Sequence, residues 1–211
     1  MKRRVTLAAT ALLAMLASRA EAQYNPFGVQ TNVAVSTVTT GGWTQCYAAT
    51  MSVFIGFNAE NVLNVCTQNE IMMAGRTTGS STLLLLASGN RAEVIQDTGI
   101  TDTFTHAVNG SAWYYASNFS WGFDILGGAV QKSECDTSDG AFSMCLHTVN
   151  SAGGYRIGNA TELNTSVDYE KVFYQRTVGG ATVAPEPSSV ALMAVGLLAL
   201  GGVARRRTRR A

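Results

Sequence analysis

Between residues 23 and 184 the chain alternates short β-branched or aromatic runs with clusters of Gly, Asn, Asp and Ser. The runs fall at 32–39, 43–50, 70–74, 82–87, 92–96, 112–116, 119–124, 142–148, 154–157 and 171–177. Ten short runs at this spacing predict a mainly all-β fold, a sandwich or a barrel-like domain. In Phe119-Ser120-Trp121-Gly122-Phe123 the aromatics occupy every second position, which places all three on one side of a strand. One stretch departs from the pattern. Residues 58–66 put Val62, Leu63 and Cys66 at helical spacing, with Asn58 as the cap, so one short helix is expected there. Residues 23–30 read as a loose leader and 178–184, with Gly179-Gly180, as a linker.

The two ends follow another logic. Lys2, Arg3 and Arg4 precede a thirteen-residue apolar run ending at Ala17, and Ala20-Glu21-Ala22 supplies a small-x-small cleavage pattern. Residues 1–22 therefore read as a secretory signal for the Sec translocon and signal peptidase. At the other end, Pro185-Glu186-Pro187 is followed by seventeen uncharged residues at 188–204 and a basic end at 205–211. That apolar length sits at the lower bound for a membrane-spanning helix. Cationic flanks stay cytoplasmic, which leaves the body outside. The expected organisation is signal 1–22, leader and first strand 23–41, β-rich domain 42–177, linker 178–184 and tail 185–211.

The order of Pro185-Glu186-Pro187, apolar run and arginine cluster resembles the PEP-CTERM sorting signal of Gram-negative bacteria, read by a membrane enzyme called exosortase. The resemblance implies that Pro185, Glu186 and Pro187 are the recognition element and that the tail is a transient inner-membrane anchor removed during sorting. It further implies a body that is first periplasmic and then at the cell surface or in the matrix of bacteria that make exopolysaccharide. Stretches of the body such as 42–47, 109–115 and 153–158 resemble an uncharacterised group of exported bacterial proteins, which brings no site residues with it.

Charge narrows the partners. Residues 23–184 carry six basic against twelve acidic side chains, a poor match to nucleic acid, whose binding draws on cations that neutralise phosphates. Cys46, Cys66, Cys135 and Cys145 are an even set in an exported chain, which predicts two disulfides. Of three connectivities, 46–66 and 135–145 close the shortest loops. No CxxC or HxxxH spacing supports zinc.

Candidate chemistry is sparse. His106 and His147 are the only histidines, with Asp97 and Asp102 as conceivable partners, and there is no GxSxG or phosphate-binding glycine loop. No catalytic residue and no cofactor is therefore expected. Asp136 and Asp139, in an Asp-rich turn ending at Gly140, form a weak calcium candidate that fails the EF-hand spacing. Trp113, Tyr114 and Tyr115, near Asn109, Asn118 and Asp124, are either a β core or a stacking platform for sugars, with Tyr114 as the more exposed member. Asn109, Asn118, Asn159 and Asn164 open Asn-x-Ser/Thr sequences, which carry little weight in this export system. The expected function is a non-enzymatic, exosortase-sorted surface or matrix protein associated with exopolysaccharide. A β-sandwich carbohydrate-binding module is the alternative, and a small hydrolase the third.

Overall fold

The computed structural model describes residues 23–133, 135–137, 140–149 and 154–178, without the side chains of Asp136 and Thr137. The signal, Pro185, Glu186, Pro187, the apolar run at 188–204 and Asp139 lie outside the described residues. Among the described residues twelve strands form two five-stranded antiparallel sheets and one small ribbon. In sheet A, β1 (Gln30–Ala34), β4 (Thr82–Asn90), β3 (Glu70–Thr77), β12 (Tyr169–Arg176) and β2 (Thr44–Thr50) lie side by side in that order. In sheet B the order is β11 (Arg156–Ile157), β10 (Met144–His147), β7 (Ser120–Ile125), β6 (Ser111–Ala116) and β5 (His106–Val108). β8 (Val130–Gln131) and β9 (Asp136–Thr137) form the ribbon.

The sheets share one core. Ile71, Met73, Leu85 and Phe173 of sheet A meet Trp113, Trp121, Phe123, Met144 and Leu146 of sheet B. The Trp121 and Phe173 rings stack with centroids 5.2 Å apart. Side-chain alternation gives the opposite faces equally definite roles. On the outer face of sheet A, Met72, Ala74, Val172 and Tyr174 pack under Trp43 and Val38. On that of sheet B, Tyr114 packs with Val130 and the cysteines of the second disulfide. Strands covered on both faces read as near-continuous apolar runs, which is why β3, β4 and β6 alternate so weakly in sequence.

Both disulfides are formed, Cys46–Cys66 and Cys135–Cys145, in the short-loop connectivity. The first ties edge strand β2 to the segment that carries a short helix, and the second pins the 126–137 excursion onto sheet B.

Three short α-helices and two single 3-10 turns, at Gly140–Phe142 and Leu163–Thr165, occur among the described residues, where one helix was expected. α1 (Val35–Thr40) replaces the second half of the run at 32–39, because Val38 is drawn into the outer cluster of sheet A. Its β-branched sequence is a poor helix former, and packing overrides propensity. α2 (Glu60–Leu63) is the expected helix, but Asn58 does not cap it. The N-cap position is Ala59, at φ 52°, and the Glu60 carboxylate instead accepts the Asn58 N–H at 2.8 Å. α3 (Arg91–Val94) replaces the expected strand at 92–96, with the Asn90 side chain accepting the Ala92 N–H as an N-cap.

The leader is not loose. The Tyr24 carbonyl accepts from Trp43 Nε1 at 2.8 Å and from Arg176 Nη1 at 2.9 Å, and the Arg176 guanidinium lies 4.2 Å from the Trp43 ring centre. Beside it the Asn69 amide and the Val178 backbone exchange two hydrogen bonds, at 2.9 and 3.0 Å. The described chain thus begins and ends against the same end of sheet A.

Candidate functional site

The aromatic segment is core. Trp113 is fully buried between the sheets and Tyr114 is 1% exposed, so neither offers a stacking face, and the expectation that Tyr114 is the exposed member is corrected. Being out of phase with Trp113 does place Tyr114 on the other face of β6, but the excursion at 126–137 covers that face. Burial and the nearby Asp124 carboxylate push its phenol pKa up. Tyr115 is half-buried, its ring edge-on to Trp121 and its hydroxyl donating to the Asn58 carbonyl at 3.1 Å.

The histidines do not converge. His147 is 1% exposed on β10, with Nε2 3.3 Å from Cys135 Sγ and Nδ1 3.2 Å from the Phe119 carbonyl. His106 sits on β5, at the far edge of sheet B beyond β7 and β6. Three inter-strand spacings of ~4.8 Å put the two strands roughly 14 Å apart. Asp97 accepts the Gly99 N–H, and Asp102 accepts from the Ser133 N–H and hydroxyl, so both carboxylates tie loops. Glu93 lies within α3. Among the described residues there is no group of three or more His, Cys, Asp or Glu side chains that could hold a metal.

Two grooves remain. The larger, about 420 Å³, lies where the leader crosses sheet A and is lined in part by Asn90, Asn109, Glu70 and Arg176. Four of its polar side chains are already engaged: Arg176 pairs with Glu70 at 2.6 Å, Asn90 caps α3, and the Asn109 amide donates to the Pro26 and Ser88 carbonyls.

The other groove, about 330 Å³, opens between the β1–β4 side of sheet A and the β11 side of sheet B. Leu85 and Ile157, both buried, are part of its lining, and Phe142, 41% exposed, forms a wall. Ile157 is seated there by Gly75: a Cβ at that glycine would fall 2.6 Å from the Ile157 side chain. Asn32, Asn159 and Tyr169 supply polar groups, and none of these side chains makes a hydrogen bond among the described residues. Asn32 also has φ +53° inside a strand, and the pairing of β1 with β4 skips it, from Thr31–Leu85 to Val33–Leu83. Asparagine tolerates this left-handed conformation better than most residues, and such strain gathers at binding sites. Nothing in the sequence flagged this groove, because Asn32 and Asn159 are 127 positions apart and no motif links them.

Two disulfides are typical of chains that fold in an oxidising compartment. Residues 183–210 match the model of the PEP-CTERM protein-sorting motif, which supports an exported protein sorted by that signal. The motif implies C-terminal membrane anchoring before exosortase-type processing. No helix among the described residues is long and apolar enough to cross a membrane, and the apolar run at 188–204 lies outside them. No curated protein and no solved structure matches the chain.

Proposed function

We propose that this protein is a non-enzymatic component of the cell surface or extracellular matrix, delivered by its sorting tail and associated with exopolysaccharide. The sorting motif at 183–210 is the observation that carries this reading. The body supports it in character. Its disulfides brace a sandwich whose two outer faces are both covered, and the two histidines and the carboxylates of Asp97 and Asp102 serve packing and loop ties or stand apart. In this reading the body is periplasmic while the tail is still anchored, and reaches the surface once the tail is processed.

The test is a release assay on the full chain in its own cells. Changing Pro185 and Pro187 together to Ala should hold the protein in the membrane fraction at its unprocessed mass, while the unchanged chain appears in the matrix or medium. Equal release of both would mean that release does not read Pro185 and Pro187, and retention of both would mean that the tail is a plain anchor; either would overturn the proposal.

A further inference from the structure

The geometry points to the groove between β1 and β11 as a binding site for an uncharged saccharide unit. This deepens the matrix reading and rests on it only for the kind of polymer. The chemistry of the groove selects the ligand class. Among the described residues its lining holds no Asp, Glu, Lys, Arg or His, so nothing among them would compensate a phosphate or carboxylate. It offers two carboxamides, Asn32 and Asn159, each with donors and an acceptor, and the Tyr169 phenol, all without partners among the described residues. The same lining carries the apolar surface of Phe142 and Leu84. A sugar ring presents this same combination: hydroxyls around its rim that need paired donors and acceptors, and C–H faces that favour an aromatic wall. The volume, about 330 Å³, lies at the small end of the ~300–1,000 Å³ usual for small-molecule sites, which suits one or two rings of a longer polymer passing through.

The same lining argues for binding without cleavage. Glycoside hydrolysis by the usual route needs two carboxyl groups across the scissile bond, and the groove has none. Asn32 is the built feature. Its strained backbone removes one pair from the β1–β4 ladder, at the position where β1 borders the groove.

The test is calorimetric titration of the purified full chain in a detergent without a sugar headgroup. Cellotriose and maltotriose are the neutral probes and trigalacturonate is the charged one. One neutral trisaccharide should bind saturably, and Asn159→Ala and Asn32→Gly should each weaken it at least tenfold with an unchanged thermal midpoint. Glycine keeps the left-handed backbone at position 32 and removes only the amide. Tyr169→Phe, which deletes one oxygen, should weaken binding in the same direction. Absence of binding by both neutral probes, tighter binding of trigalacturonate, or undiminished binding by the two Asn variants would each overturn the assignment. The release assay on the tail variant reads sorting alone, so failure of the matrix reading and failure of the groove are separately visible.

Discussion

Tyr114 is paired across the sheet with Gly122, and its hydroxyl occupies the space a side chain there would need. A Cβ built on Gly122 would lie 2.4 Å from the phenol oxygen and 2.2 Å from the Met144 carbonyl. The glycine is therefore what lets a tyrosine lie buried on the outer face of sheet B.

Gly122→Ala should cost at least ~3 kcal/mol or prevent folding, above the ~1–3 kcal/mol usual for overpacking, because one of the clashing atoms is backbone and cannot swing away. Urea denaturation measures it. A loss below about 1 kcal/mol would mean that β7 and β10 separate more easily than their four registered pairs imply.

Each disulfide should be worth about 3 kcal/mol in the chain-entropy estimate, with sequence separations of 20 and 10. Their local effects should differ. Replacing Cys135 and Cys145 by Ser should loosen the excursion over sheet B and make His147 reactive towards diethyl pyrocarbonate. The same change at Cys46 and Cys66 should leave His147 protected. Equal reactivity in both variants would contradict the covering role of the excursion.

Stability should rise with pH between about 7 and 10. Lys171 is buried on the inner face of β12, its Nζ donating to the Thr50 and Met51 carbonyls at 2.6 and 3.3 Å and lying 5.7 Å from the Tyr155 ring centre. Burial holds its pKa down to about 7, against 10.5 ordinarily. Between these values the unfolded chain binds more protons than the folded one, so unfolding becomes harder as pH rises, by at most ~1.4 kcal/mol per pH unit. Below pH 7 both states are protonated and this dependence vanishes. Lys132, also pushed down by burial, acts with the same sign. Above pH 10 the buried tyrosines reverse it, since Tyr155 is pushed up to about 12 and stays protonated while the unfolded chain ionises. Urea midpoints at pH 7, 8.5, 10 and 11 should rise and then fall. Lys171→Met should flatten the rising limb, and an unchanged slope would place its source elsewhere.

Gly75→Ala should cost ~1–3 kcal/mol by driving a Cβ into Ile157. Pairing it with Ile157→Val should recover part of that loss, because the clash is side chain against side chain. Simple additivity in a thermal-denaturation cycle would show that Gly75 does not seat the groove wall.

The sandwich was legible because inward positions alternate: Trp121 and Phe123, or Met144 and Leu146, mark one face without knowledge of the other. What the sequence could not supply was which outward faces are covered. Tyr114 has the phase of an exposed residue and is buried by a loop whose path depends on a disulfide. At α3 a local signal was present, since Asn90 followed by Glu93 has the spacing of a capping box, but the β-leaning residues around it read as strand. At α1 no local signal existed, and only the packing of Val38 decides. The groove was invisible for a deeper reason. Its polar members come from β1, the β11 turn and β12, and only the closure of two sheets brings them to one place.

The strand order of sheet A also decides how a tethered molecule would bear load. β12 leads directly into the chain beyond Val178 and lies between β3 and β2, with eight registered pairs on one side and six on the other. Tension drawn along that exit enters the middle of the sheet. Pulled along its length, β12 is held by two ladders, together with the Asn69 clasp on Val178 and the Arg176 contact to Tyr24, where an edge strand would be held by one. A body held by its C-terminal side in flowing surroundings would then yield last at the point where it is held.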